Sequence, residues 1–125
     1  MTQSEFITLL HGLAAAWSRR DYAAAAGVFA EDVRYADPTR YAWEGRAALR
    51  AFFEADEGFE QETVLHTILF DEQRQVGAAE YTYRGTHTYH GVALIRLEAG
   101  KIAQWREYQH IDPRPWIEFV GKTAF

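Results

Sequence analysis

An α+β domain is expected from this sequence, with helices laid on one face of a largely antiparallel sheet. Two observations carry that expectation. Apolar residues recur at helical spacing through the first 57 residues and at strand spacing from Glu62 onward. The strand segments are long and joined by short polar turns, as in a meander. A third observation concerns the sheet itself. Both strand faces mix aromatic with charged residues, so the sheet is expected to be curved, with helices and a pocket on one face and a partner subunit on the other.

The first helix is expected to start at Ser4, acting as its cap. Phe6, Ile7, Leu10, Leu13, Ala14 and Trp17 form its apolar face. Arg19 and Arg20 suit its C-terminal end, where cations meet the negative end of the helix dipole. Asp21 caps an alanine-rich second helix running to about Phe29. A short strand follows from Asp32 to Asp37, and Pro38 keeps Asp37 out of helical geometry. A loop holding Trp43 leads through Gly45 to a third helix, with Ala48, Leu49, Phe52 and Phe53 on one side. Four strands are then expected over 62–71, 76–84, 87–97 and 102–111. Pro113 and Pro115 end the last one, and Trp116 to Val120 read as a short helix. Residues 1–125 form one domain, with no linker or repeat.

Composition narrows the function. The chain has no cysteine, which excludes a disulfide scaffold, a thiolate metal site and a cysteine nucleophile. The five histidines show no metal-ligand spacing, and no metal or other cofactor is expected. A net charge of -5 argues against nucleic acid as partner. No apolar run is long enough for a bilayer, so no membrane partner is expected. The start MTQSEF lacks a basic, apolar leader, and a cytoplasmic location is expected. Aromatic residues make up 15% of the chain, a composition that suits a ligand pocket or an aromatic-rich core. Without nucleophile motifs, the available chemistry is proton transfer by carboxylate, His and Tyr.

Strand alternation sorts the candidates. Trp105, Glu107 and Gln109 share a face on the last strand, against Arg106, Tyr108 and His110. On the preceding strand His87, Tyr89, Gly91, Ala93 and Ile95 oppose Thr88, His90, Val92, Leu94 and Arg96. Before that, Glu80, Thr82 and Arg84 oppose Ala79, Tyr81 and Tyr83. Val33, Tyr35 and Asp37 share a face of the first strand; locally Asp37 also reads as a turn former ahead of Pro38. Tyr81, Tyr83, Val92, Leu94 and Tyr108 are expected to form an outer apolar row, and a homodimer through that face would cover it.

Three stretches resemble the nuclear-transport-factor-2-like superfamily and, within it, the SnoaL-like proteins. They are Val28-Phe29-Ala30-Glu31-Asp32-Val33 running to Tyr35 and Asp37-Pro38, Gly45-Arg46-Ala47-Ala48-Leu49 running to Phe52-Phe53, and Gly100-Lys101-Ile102 followed by Trp105-Arg106-Glu107-Tyr108. The resemblance implies a cone: a strongly bent sheet wrapped by three N-terminal helices, with a pocket at its open end. It also offers several chemistries. Epoxide hydrolases of the limonene type carry a catalytic carboxylate where Glu107 stands and water-holding residues matching Tyr35 and Asp37; an ungapped match puts Glu80 and Thr82 at two further site positions. Ketosteroid-isomerase-like enzymes place their proton-shuttling Asp where Asp37 stands, but their two oxyanion donors fall at Leu13 and Ala93. SnoaL-like cyclases need an acid and an apolar pocket. A dehydratase would use residues such as Tyr35, His87 and Tyr89.

The resulting expectation is a small-molecule site with Asp37 and Glu107 as acid/base groups. Tyr35, Glu80, Thr82, His87 and Tyr89 are expected as polar neighbours, and Trp17, Trp43, Phe52, Phe53 and Trp105 as walls. A ligand-binding or dimerisation module without catalysis is the alternative.

Overall fold

The computed structural model describes residues 1–56 and 58–125; Glu57, the last of the residues read as helical, lies outside the described residues. Helix α1 (Gln3–Ser18) is followed by α2 (Tyr22–Gly27), strand β1 (Phe29–Asp37), strand β2 (Tyr41–Glu44) and helix α3 (Arg46–Glu54). Strands β3 (Glu62–Asp71), β4 (Val76–Arg84), β5 (Thr88–Glu98) and β6 (Lys101–Ile111) then form the meander, and α4 (Trp116–Val120) closes the order before a 3₁₀ turn.

The cap of α1 is Thr2 rather than Ser4. Thr2 Oγ1 accepts from the Glu5 N–H at 3.2 Å, and Glu5 Oε2 accepts from the Thr2 N–H at 2.8 Å. This reciprocal pair satisfies two donors that a Ser4 cap would leave inside the first turn. Helix α2 stops at Gly27, short of Phe29. Phe29 is fully buried and instead opens β1, paired with Ile102. Consequently β1 begins three residues earlier than the sequence pattern suggested. The stretch around Trp43, expected as a loop, is strand β2, which pairs antiparallel with β1 (Tyr35 with Trp43, Asp37 with Tyr41).

All six strands form one curved, open sheet in the order β2-β1-β6-β5-β4-β3. The β1–β6 pairing is parallel and the others are antiparallel, so the sheet is mixed. Register shifts between Leu65 and Ile68, between Phe29 and Arg34, and between Arg96 and Leu97 supply the extra residues that bend strands. The β5–β6 hairpin turns through Ala99 and Gly100, both at positive φ (49° and 75°), the geometry that matches strand twist in a two-residue loop. Helix α1 lies on the concave face, where Phe6 stacks on Phe70 of β3 at 4.3 Å. Phe6, Leu10, Leu13, Phe29, Val33, Leu49, Ile95 and Ile102 are its buried core.

Helix α4 docks on the convex face, at the far end of β3, β4 and β5. Trp116 stacks on His66 at 4.2 Å, and Phe119 stacks on His90 at 4.6 Å. Beneath them runs a chain: His66 Nε2 to Thr82 Oγ1 (2.7 Å), Thr82 Oγ1 to His90 Nδ1 (2.9 Å), and His90 Nε2 to the Arg114 carbonyl (2.7 Å). The carbonyl can only accept, so His90 donates from Nε2. A neutral His90 then accepts the Thr82 hydroxyl at Nδ1, and His66 donates to Thr82. Burial, with the nearby His90, pushes His66 below its ordinary value of 6.5; Glu80 pulls the other way. A depressed histidine leaves the fold at full stability above pH 6.5, and that stability is lost as pH falls toward the lowered folded value. The protection factors of the amides in residues 116–120, corrected for the intrinsic pH dependence of exchange, are therefore expected to fall between pH 7.5 and pH 5, and His66→Asn to blunt the change. Equal protection at both pH values would contradict it.

Candidate active site

The last strand carries the centre of the site. Glu107 is paired across β5 with Ala93, and Ala93 with Ala79 on β4. Both alanines are buried, and Ala79 lines the space beside the carboxylate. The space is part of a cavity of about 260 Å³, lined mainly by apolar and aromatic side chains from α1, α2, α3 and the concave sheet face. Trp105 precedes Glu107 by two residues and so shares its face. Parallel pairing sets Tyr35 beside Trp105, and their rings stack at 5.5 Å with an 8° tilt.

Three phenols converge on Glu107. Tyr35 and Tyr41 donate to Oε1 at 2.8 and 2.9 Å, and Tyr81 donates to Oε2 at 3.1 Å. The Gln109 amide donates to the Tyr41 oxygen at 3.2 Å and also reaches Asp37 Oδ2 at 3.4 Å. Glu107 is 3% exposed. Burial pushes its carboxyl above the ordinary 4.5, and the three phenol donors, with the Trp105 indole beside them, pull it back only in part. The same burial, with the carboxylate alongside, raises Tyr35, Tyr41 and Tyr81, so all three stay protonated as donors. Among the described residues lining the cavity there is no Lys, Arg or His. The site is a carboxyl held by neutral donors, without a countercharge.

Tyr35, Glu107, Trp105, Trp17, Phe52 and Phe53 all line the cavity. Asp37 is buried but does not. Its Oδ1 accepts from the Thr39 N–H and hydroxyl, each at 3.1 Å, and Arg40 Nε lies 3.8 Å from Oδ2. This is the turn-forming arrangement; its link to the site runs through Gln109 and Tyr41. Trp43 stacks behind Phe52 at 5.1 Å, outside the lining. His87 is exposed, and Tyr89 sits under Arg40, beside Tyr83; neither lines the cavity.

Glu80 and Thr82 require a correction. Registry with Ala93 and Glu107 turns Ala79, Tyr81 and Tyr83 inward, so Glu80 and Thr82 face the convex side, where Thr82 joins the two histidines under α4. The same parity removes Tyr81 and Tyr83 from the expected outer row. Arg84 pairs with Glu62 at 3.1 Å, on the strand edge. Tyr41, Tyr81 and Gln109 were missed as site residues. Gln109 was legible from its spacing of two from Glu107; Tyr41 was hidden by reading β2 as a loop.

A second polar cluster lines the cavity where α2, the end of α3 and the start of β3 meet. Tyr22 donates to Asp56, Gln61 donates to the Tyr22 oxygen at 2.8 Å, and Tyr83 donates to Gln61 at 3.1 Å. Arg20 Nε lies 3.6 Å from Asp56. Among the described residues no group of three or more acidic and histidine side chains is placed to hold a cation. No helix among them is long and apolar enough to cross a membrane.

Comparison with known proteins adds the following. The sequence model of the SnoaL-like domain matches residues 10–105. No curated protein matches. Among solved structures, a LEH-like epoxide hydrolase from M. tuberculosis superposes with a TM-score of 0.74 at 17% identity, covering 86% of this chain and 84% of that one. A proposed polyketide cyclase from Xanthomonas campestris gives 0.72 at 17% identity, covering 98% of each. A protein of unknown function with a cystatin-like fold from Methylobium petroleophilum gives 0.79 at 15% identity, covering 93% and 82%. At these identities the likeness speaks to the fold, not to the reaction.

Proposed function

This chain belongs to the SnoaL-like domain family, and we propose that it is an enzyme in which Glu107 performs acid/base chemistry on a small, largely apolar molecule held in the concave cavity. The observation that carries this reading is one buried carboxyl, raised above its ordinary range, at the apolar cavity's wall under three phenol donors. A carboxyl tuned upward serves proton transfer near neutral pH. As base, Glu107 takes a proton from the ligand or from a water. Once protonated it accepts less strongly, and a phenol released from it can turn to oxygen where negative charge develops. Isomerase, cyclase and hydrolase steps all share this proton transfer. Asp37, tied to Thr39 and Arg40, holds Gln109 and Tyr41 in place rather than meeting the ligand.

The test is a screen of epoxides, ring-forming polyketide mimics and enolisable ketones with wild type, Glu107→Gln and Asp37→Asn. Turnover that survives Glu107→Gln would sink the proposal. One observation favours the non-catalytic alternative: the carboxylate's donors all come from the protein, so the cluster is already satisfied. Saturable binding across the pH range without turnover of any of the three classes would establish that reading instead.

The chain is further proposed to pair with itself through the convex face. Leu69, Leu94 and Tyr108 are 62%, 39% and 46% exposed there, with Leu69 and Leu94 both registered on Ala78 and Val92 on Tyr108. A two-fold pairing would cover such a row with itself. Light scattering is expected to give twice the chain mass of 14.4 kDa at micromolar concentration, falling to the single mass for Leu94→Glu. A single mass for wild type would refute it.

A further inference from the structure

Tyr81 and Tyr83 are two residues apart on β4 and share its inward face, yet they serve different clusters. The Tyr81 hydroxyl donates to Glu107, and the Tyr83 hydroxyl donates to the Gln61 carbonyl at 3.1 Å. Gln61 donates to the Tyr22 oxygen at 2.8 Å, and Tyr22 donates to Asp56. All four members of this chain line the cavity. Tyr22, Gln61 and Tyr83 are half-buried and the Asp56 side chain is 21% exposed, so the chain stands where the cavity meets solvent, whereas Glu107 is sealed in its wall.

The direction of each bond is fixed from the far end. The Tyr22 hydroxyl, the Gly58 N–H at 2.7 Å and Arg20 hold the Asp56 carboxyl below its ordinary 3.8, so it is a carboxylate and only accepts. The Tyr22 proton is therefore spent on Asp56, and the Tyr22 oxygen takes the Gln61 amide nitrogen. That turns the Gln61 carbonyl to Tyr83, whose proton is spent in turn. The Tyr83 oxygen, at the head of the chain, receives no proton from the described residues and is left with lone pairs alone. Donating along a chain makes a hydroxyl a stronger acceptor. Gly85 has no side chain to cover that oxygen; a Cβ there would stand 3.0 Å from it.

We propose that Tyr83 is a specificity-determining residue: its oxygen accepts the hydrogen of a hydroxyl group carried by an otherwise apolar ring, at the end of the ligand away from Glu107. The inference rests on the reading of the cavity as a small-molecule site but not on turnover. A carbonyl or an anionic group at that end would meet lone pairs with lone pairs. Asp56 acts through Tyr22 and Gln61 as a positioning residue, since its charge sets which way the chain runs and so which group the head selects.

The experiment is calorimetric titration with three cyclic ketones that share one carbonyl and differ at the opposite ring carbon: 4-hydroxycyclohexanone, 4-methylcyclohexanone and cyclohexane-1,4-dione. Wild type is expected to bind the hydroxy ketone about tenfold more tightly than the dione, the worth of one good hydrogen bond. Tyr83→Phe is expected to remove that preference and to leave the methyl ketone's binding within about twofold, which also shows the cavity intact. Asp56→Asn is the sharper test. An amide can donate where the carboxylate could not, so the chain can run in reverse and Tyr83 can offer its proton. The dione is then expected to gain, and the lead of the hydroxy ketone to shrink to about twofold or less. No saturable binding of the hydroxy ketone, no preference for it in wild type, a preference that survives Tyr83→Phe or stands unchanged in Asp56→Asn, or equal losses of all three ketones in Tyr83→Phe would each overturn the proposal. Failure of the acid/base reading is distinguishable: Glu107→Gln would then leave turnover intact while the hydroxyl preference still depended on Tyr83.

Discussion

Glu107→Gln is expected to lower turnover by about 10²–10⁴-fold, the range for removing a positioned acid/base group, with KM changed far less than kcat. Gln keeps the volume of the side chain and one carbonyl oxygen, so Tyr35 and Tyr41 retain their acceptor; Tyr81 loses its own and meets an NH₂ group. The pH dependence follows from the direction of the shift. With burial raising the carboxyl, a base at this position is active only once it has lost its proton. The acidic limb of kcat/KM is therefore expected above the usual carboxylate range and absent from any residual activity of the variant. Stability runs the opposite way. A carboxyl raised in the folded state contributes stability that is whole below the ordinary 4.5 and is lost as pH rises through the raised value. Urea denaturation of wild type is expected to show that decline across the window, and Glu107→Gln to remove it. A wild-type acidic limb at or below pH 4.5 would count against the assignment, and so would identical pH–stability curves for the two proteins.

Much of this arrangement is written locally. Trp105 and Glu107 share a face because they are two apart on a strand, and Tyr35 reaches them because β1 joins β6. The resemblance over residues 28–38 and 100–108 placed both strands at the pocket. The capping box Thr2-Gln3-Ser4-Glu5 was also legible, and the choice of Ser4 overlooked the Glu three residues after Thr2. What was not legible is parity that depends on pairing. On β4 either alternate set could face inward, since Ala79, Tyr81 and Tyr83 are scarcely more apolar as a row than a pocket needs. An ungapped match chose Glu80 and Thr82, whereas the hydrogen-bonded register with Ala93 chose the tyrosines. A slip of one residue exchanges every side chain between faces. The convex face is itself partly buried by α4, which hides Thr82 and His90 there and blurs the polar-out signal that would have settled the matter. Asp37 shows a different limit: a carboxylate can be buried and beside a pocket yet spent on its own turn, and only the partners of its oxygens reveal that.

Gly91→Val is expected to cost about 1–3 kcal/mol of stability, at the upper end for overpacking, and to disable the site with it. Gly91 lies on β5 between Tyr81 and Gln109. A Cβ there would stand 2.7 Å from the Tyr108 carbonyl oxygen, 2.9 Å from the Tyr81 hydroxyl and 3.0 Å from Gln109 Cγ. The carbonyl belongs to the paired strand and cannot step aside without opening the β5–β6 ladder. The Tyr81 hydroxyl can move only by leaving Glu107. The glycine thus holds no unusual backbone angle; it is the gap through which Tyr81 reaches the carboxylate. Losing that phenol removes one of the donors that hold Glu107 down, so its carboxyl rises further and the acidic limb of the rate profile shifts to higher pH. Tyr81→Phe separates the two effects: it deletes the hydroxyl without the clash, and is expected to reproduce the pH shift with a smaller loss of stability. If Gly91→Val left both the denaturation midpoint and the acidic limb where wild type has them, the close packing of Tyr81 against β5 would not be what positions the carboxyl.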